Sequence, residues 1–245
     1  MSGEARRLID SPGADGFARW SPDGERLVYV ASRDGNCEIY VANADGSGEI
    51  NLTTSDEDEI HPSWSPDGSE IVFSSEGELH VMTVATGERR QLTDSGLIHV
   101  FPDWSPGGDS IVFSGGEHVA GPGAAHQIYV IPPTDGDEVA LTNGDALLVA
   151  PRWSPDGELI AYFDHGDPFS IWAMRADGSD PFVVGEGGHL SWSPDGSSLV
   201  HDREVGPGDV DIFMDGELLV DGAGVDTLPD WSPDGTTIVF SSDRP

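Results

Sequence analysis

One signature limits what this 245-residue chain can fold into more than any other: a tryptophan followed by Ser-Pro, at Trp20, Trp64, Trp104, Trp153, Trp192 and Trp231. Asp-Gly completes the motif in five copies, and Gly107-Gly108 replaces it in the third. Successive tryptophans lie 44, 40, 49, 39 and 39 residues apart. A period near 40 built from short strand-like pieces is that of propeller blades, each of about four strands.

Within each copy the order of signals is regular. In the second, Pro62-Ser63-Trp64 leads through Ser65-Pro66-Asp67-Gly68 into Ile71-Val72-Phe73, which reads as two strands joined by a tight turn. Proline pre-sets φ at the first corner, aspartate bonds the turn's own backbone, and glycine accepts the positive φ that follows. Turn chemistry, not catalysis, therefore explains the Asp-Gly motif. Third strands follow at Glu38-Ile39-Tyr40-Val41, Leu79-His80-Val81, Gln127-Ile128-Tyr129-Val130, Ile171-Trp172-Ala173 and Asp211-Ile212-Phe213-Met214. Fourth strands are read at Ile50-Asn51-Leu52-Thr53 and Arg90-Gln91-Leu92-Thr93, after hairpin signals such as Asp45-Gly46 and Asp135-Gly136. Strands such as Ile111-Val112-Phe113 are apolar on both faces, as sheets sandwiched between sheets require. The expected fold is all-β, a six-bladed propeller of antiparallel sheets forming one domain over residues 1–245, with the tryptophans packing blade against blade.

These residues resemble the TolB-type, WD40-like propeller repeat, in which Pro-x-Trp-Ser-Pro-Asp-Gly, an apolar strand, Ile-Tyr-Val and Leu-Thr recur in this order. The resemblance covers nearly the whole chain. It implies the propeller fold and a choice of functions: scaffolds that bind proteins, lids of serine peptidases, and a few metal-dependent lyases.

The seam of the ring is irregular. Arg6-Arg7-Leu8-Ile9 matches the fourth-strand pattern of Arg90-Gln91-Leu92-Thr93 and is expected to help complete the last blade. The sixth copy supplies only two strands, around residues 229–231 and 237–241, with no counterpart of Ile39-Tyr40-Val41. A three-stranded last blade, incomplete or closed by the N-terminal strand, is expected, either because residues 6–9 pair directly with 237–241 or because the chain is cut from a longer one. An open strand edge there invites another chain.

Charge narrows the partners. Forty-five acidic residues stand against 11 basic ones, all arginine, for a formal net charge of −34. Such a surface repels nucleic-acid phosphates and anionic membranes and attracts cations of the surrounding salt. Acidic residues occupy every loop instead of clustering, which resembles the Asp-rich, Lys-poor proteins of extreme halophiles. The single Cys37 leaves no disulfide framework. Met1 to Asp10 lacks the apolar core of a signal peptide and no 18-residue apolar run occurs, so a cytoplasmic location is expected.

Function must come from what does not repeat. Loops from second to third strands, and the entries into first strands, share one face; it carries the 115–126 insertion and loops 164–169 and 202–209. His61, His99 and His189 fall at first-strand entries, and His118, His126, His165 and His201 in or beside second-to-third loops. Asp15, Glu59 and Asp226 each stand five residues before a tryptophan, with Asp56, Glu57 and Asp58 nearby. His61, His189, His99, Asp15, Glu59 and Asp226 are thus the candidate ligands for an axial divalent cation: calcium or magnesium if oxygens dominate, a transition metal if imidazoles do. No nucleophile elbow, no Gly-rich phosphate loop and no catalytic residue is recognised. Three readings follow: a non-enzymatic scaffold for a protein or peptide, a metal-dependent or metal-binding propeller, and a detached sensor or lid of a larger protein.

The halophile resemblance carries a direct test. Molar salt shrinks the screening length to about 3 Å, which tolerates self-repulsion that dilute buffer does not. The melting temperature is expected to climb with potassium chloride from dilute buffer to molar concentration, and equal stability throughout would remove this reading.

Overall fold

The computed structural model describes residues 5–117, 125–134, 136–166 and 168–244. Residues 118–124 of the 115–126 insertion, with His118, and Asp135 of one hairpin signal lie outside the described residues.

Every regular element among the described residues is a strand. The first blade is β1 (Asp15–Trp20), β2 (Arg26–Ala31), β3 (Glu38–Asn43) and β4 (Ile50–Asn51). The second is β5 (Glu59–Trp64), β6 (Glu70–Ser75), β7 (Glu78–Thr83) and β8 (Arg89–Gln91). The third is β9 (Ile98–Trp104), β10 (Ile111–Gly116), β11 (His126–Ile131) and β12 (Val139–Ala140). The fourth is β13 (Leu148–Trp153), β14 (Leu159–Asp164), β15 (Ser170–Arg175) and β16 (Phe182–Glu186). The fifth is β17 (Leu190–Trp192), β18 (Leu199–Gly206), β19 (Asp209–Met214) and β20 (Glu217–Val220), and a sixth sheet holds only β21 (Asp226–Trp231) and β22 (Ile238–Ser242). All pair antiparallel in chain order within each blade.

The turn after each tryptophan is built as its residues dictate. In the second copy Gly68 N–H donates to Ser65 O at 2.9 Å, Ser65 Oγ donates to Asp67 at 2.8 Å, and Gly68 sits at φ +70°. The Ser69 N–H, followed by the Ser69 and Ser65 hydroxyls, holds the Asp67 carboxyl below its ordinary range. Where Gly107 replaces the aspartate, Asp109 accepts the Ser105 Oγ bond instead, at 2.8 Å. The repeated serines are therefore committed to turns.

Burial joins the blades. Trp64 packs with Val28, Val30, Ile39 and Val41 of the first blade and Ile71, Phe73 and Met82 of its own. Trp104 does the same between Val72, Leu79 and Val81 and Ile111, Phe113 and Ile131. Central β6 shows why its sequence is apolar throughout: Ile71 and Phe73 face one neighbour, Val72 the other, and none is more than 1% exposed. Each such side chain contributes roughly 1.5–3 kcal/mol. On the Ser-Pro face the ring closes: Gly68 stands against Pro22, Gly108 against Pro66, and Gly24 of the first blade against Pro233 of the sixth.

The last blade is incomplete, as expected, but it holds two strands and not three. The structure holds five complete blades and a two-stranded sixth sheet, and among the described residues no strand pairs with the free edge of β22. Residues 5–10 form no ladder with residues 237–241. They are held instead by the first blade. Ile9 packs onto the cluster of Tyr29, Ala31, Tyr40 and Ala42, and Leu8 lies so close over Gly46 that a Cβ there would stand 2.3 Å from Leu8 O.

The turn geometry gives a quantitative expectation. Gly157 adopts φ +72° in the fourth repeat, so Gly157→Ala is expected to cost about 1 kcal/mol in chemical denaturation.

Candidate functional site

The axis is lined by the residue three positions before each repeat tryptophan: Phe17, His61, Phe101, Ala150, His189 and Leu228. Five of these six are non-glycine residues at positive φ, between 52° and 57°. The strand registers slip at the same place, between Gly16 and Arg19 in β1 and between Ile60 and Ser63 in β5. A bulge repeated blade after blade redirects one side chain per repeat, and strain of this kind persists only where the surroundings over-determine it. Three of the redirected rings meet one another and the ring of His189, which shares their offset without the positive φ. Phe17 and His61 are 4.7 Å apart edge-on, His61 and Phe101 3.8 Å, and Phe101 and His189 5.8 Å. Burial, reinforced by the nearby charges of His189 and Arg19, pushes the His61 imidazole down to about 3.

From this plug an aromatic track runs outward along the fourth blade. His189 lies 6.1 Å from Phe163, which meets Phe169 at 5.6 Å and His165 at 5.5 Å; His165 and Phe169 are 4.6 Å apart. Phe169 at its end is 42% exposed. A cavity of about 470 Å³ lies beside it, lined by Asp164, Pro168, Ser170, Val183 and Glu186. The outer strand β16 adds Phe182, Val183 and Val184, all more than 40% exposed.

His189 is fixed by Asp202, with Nδ1 3.0 Å from Oδ2. The same oxygen accepts from Thr227 Oγ1 and from Leu228 N–H at 3.1 Å, tying the fifth blade to the sixth sheet. Burial works to raise the Asp202 carboxyl, but the charge of His189 and these hydrogen bonds hold it below its ordinary range.

The remaining sequence candidates are latches between elements, not a cluster. Buried Glu59 accepts from Ser55 Oγ at 2.6 Å and pairs with Arg89 at 2.9 Å, and burial pushes its carboxyl up. His99 is fully buried between the second and third blades, 3.2 Å from Glu78, 3.3 Å from Glu138 and 3.0 Å from Gly77 O. Asp226 is paired with Arg244, and Asp15 accepts from Ser11 Oγ at 2.6 Å. His61 and His189 alone of the set reach the plug. Among the described residues no group of three or more His, Cys, Asp or Glu side chains is placed to hold a metal ion, and the carboxylate nearest the plug already accepts three hydrogen bonds.

At the other end of the axis the residues immediately before the tryptophans read Arg19, Ser63, Asp103, Arg152, Ser191 and Asp230. They form the floor of a funnel of about 280 Å³ walled by the Trp-Ser-Pro corners. The pattern repeats after three blades and so does its bonding. Arg19 pairs with Asp230 at 3.3 Å and Arg152 with Asp103 at 3.8 Å. Asp230 accepts from Trp20 N–H at 2.9 Å as Asp103 does from Trp153 N–H at 3.0 Å. Burial pushes Asp103 up to about 6 and raises Asp230 too, against the pull of Arg19.

Sequence reasoning singled out His61 and His189 by their offset from tryptophan but missed Phe17 and Phe101, which share that offset. It missed the track residues Phe163 and Phe169 and the charged floor. For the floor the signal was present, as the alternating residue before each tryptophan; for Phe163 no periodicity marks it.

Comparison with known proteins agrees with this architecture. Residues 1–78 match the family model of the TolB beta propeller domain. TolB from Acinetobacter baumannii superposes with a TM-score of 0.77 at 22% identity, over 92% of this chain and 59% of that one. The chain therefore spans less than two thirds of that TolB. A putative TolB from Agrobacterium tumefaciens gives 0.70 at 28% identity, over 80% of this chain and 73% of that one. An oligogalacturonate lyase in complex with manganese gives 0.69 at 17% identity, over 95% and 72%. No match among curated protein sequences reaches significance.

The plug has a pH signature. An unfolded His61 takes up a proton near 6.5, whereas the folded one stays neutral down to about 3, so its contribution is present above pH 6.5 and lost as pH falls. Replacing it by the ring found at its neighbours, His61→Phe, is expected to flatten the acid loss of stability by up to about 1.4 kcal/mol per pH unit. Asp103 has the opposite trend but is common to both proteins. Parallel pH slopes in denaturant melts would contradict a buried, neutral His61.

Proposed function

We propose that this chain, a β-propeller of TolB-type repeats, is a non-enzymatic scaffold that holds a protein or peptide on its histidine-bearing face. The observation that carries this reading is the aromatic track, anchored at the axis on strained, repeat-fixed positions and ending at exposed Phe169 beside exposed Val183 and an open cavity. Contiguous exposed apolar surface on a rigid frame is what interfaces use, and aromatic side chains dominate their energetics. The chemistry of the plug points the same way. An imidazole held near 3 does not exchange a proton at neutral pH, and the repeated serines are committed to turns. A ligand with apolar residues and basic flanks suits a chain of net charge −34. No helix among the described residues is long and apolar enough to cross a membrane.

A metal-binding propeller is the second reading. It draws on His61 Nδ1, which is buried without a hydrogen-bond partner, and on His189 across Phe101. A melting-temperature rise with micromolar manganese that disappears in His61→Ala would support it over the first.

Peptides selected from a displayed library against the folded protein test the scaffold reading. Phe169→Asp combined with Val183→Asp, both exposed positions, is expected to weaken the selected peptides about tenfold or more without shifting the melting temperature. Undiminished binding to that variant would overturn the reading.

A further inference from the structure

The floor of the funnel on the Ser-Pro side holds two arginines whose hydrogen-bonding capacity is mostly unused. The six first strands, β1, β5, β9, β13, β17 and β21, touch one another in a closed ring. The residue before each tryptophan therefore faces a common axis, in the order Arg19, Ser63, Asp103, Arg152, Ser191 and Asp230. Arg-Ser-Asp occurs twice in that order, so Arg19 and Arg152 approach the axis from opposite sides. Arg19 reaches it: its charge acts on Asp103, two blades away, as well as on Asp230.

The two aspartates of the floor are already committed. Asp230 accepts from Trp20 N–H at 2.9 Å, Ser191 Oγ at 3.1 Å and Arg19 Nη1 at 3.3 Å. Asp103 accepts from Trp153 N–H at 3.0 Å and Ser63 Oγ at 3.3 Å. The arginines are not committed, although each guanidinium carries five N–H donors. Arg19 makes no hydrogen bond among the described residues beyond the one to Asp230. Arg152, only 7% exposed, gives Nη1 to Pro151 O at 3.0 Å. Its 3.8 Å separation from Asp103 is too long for a hydrogen bond, and its Nε is buried with no partner. A buried donor left unmet is costly, so the floor is built to receive an acceptor.

We propose that this funnel binds a small carboxylate with a flat apolar body, the carboxylate shared between Arg19 and Arg152 at the axis. A carboxylate supplies planar acceptors that match guanidinium forks. The walls suit the body: every repeat contributes its tryptophan and the proline of its Ser-Pro corner. The volume of about 280 Å³ equals roughly nine waters at about 30 Å³ each, the size of an acid built on one ring. A metal cation is the poorer occupant, because both aspartates already hold donors and two arginines stand beside them. The floor also has a way to accommodate an extra negative charge. Asp103, which faces Arg19, Arg152, Asp230 and the Ser63 hydroxyl, is pushed by burial up to about 6, and an anion beside it is offset by a proton taken up there. The net charge of −34 repels anions at long range, but salt screens that field over about 8 Å at physiological ionic strength. This site lies at the opposite end of the axis from the histidine face and does not rest on the scaffold reading.

The test titrates the full chain with benzoate and with benzamide, its uncharged counterpart, in carboxylate-free buffer at fixed ionic strength. The readout is the indole N–H signals of the seven tryptophans in NMR spectra. Benzoate is expected to shift the signals of the repeat tryptophans saturably and to leave that of Trp172, which is not part of the funnel wall, in place. Benzamide is expected to shift none. Arg152→Lys and Arg19→Lys keep the charge but lose the fork, and each is expected to weaken benzoate about tenfold or more, while the Phe169→Asp, Val183→Asp protein binds it normally. Affinity is expected to be level below about pH 6 and to fall by up to about tenfold per pH unit above it, as the bound state gives up its extra proton. The proposal is overturned if benzamide shifts the same signals equally, if Trp172 alone responds, if both lysine variants bind benzoate as the unaltered protein does, or if affinity is independent of pH. Should the lysine variants fail to fold, the comparison of benzoate with benzamide on the unaltered protein decides.

Discussion

Everything in this molecule depends on one wedge, the tryptophan that each repeat places between its own sheet and the one before. Trp64 and Trp104 touch the second and third strands of the preceding blade as well as their own, so no blade buries its apolar faces without its neighbours. This is the nearest-neighbour logic of repeat proteins bent into a circle. It also explains the demand for residues that are apolar on both faces, since a central strand such as β6 meets a different blade on each side.

The wedge fixes the tryptophan's depth, and the residues just before it inherit a defined position at the axis. One position before, the chain places its charged floor of Arg19, Asp103, Arg152 and Asp230; three before, a bulge at positive φ turns Phe17, His61 and Phe101 into a plug. The plug is part of the architecture, because Ala150 and Leu228 carry the same strained backbone with no aromatic ring to place. What distinguishes this chain from a bare scaffold is the departure from repetition in the fourth and fifth blades, where Phe163, Phe169 and His189 extend the plug to the surface.

The same wedge shows what is missing at the seam. The inner part of the ring is closed by Arg19 with Asp230 and by Gly24 against Pro233. The outer part is left with a half-buried β22 and an N-terminal stretch anchored to the first blade. Closure at the axis and opening at the rim coexist because they use different strands of the same sheet.

The sequence by itself determined the period, the strands and the turns. Each of these is a local pattern: alternation over a few residues, Ser-Pro-Asp-Gly chemistry within five, and a repeat of about forty. It also marked the sixth copy as short, since a missing Ile-Tyr-Val is visible by comparison with its neighbours. Tertiary structure alone decided which side chains converge. Glu59, His99 and Asp226 look like axial ligands by spacing, yet the ends of the strands turn them into the seams between elements, where Arg89, Glu78 and Arg244 take them up. The contacts that close the ring join residues more than two hundred positions apart, Arg19 with Asp230 and Arg7 with Arg244. No local periodicity encodes such pairs; they arise only when the accumulated angle between packed sheets brings the last blade back to the first.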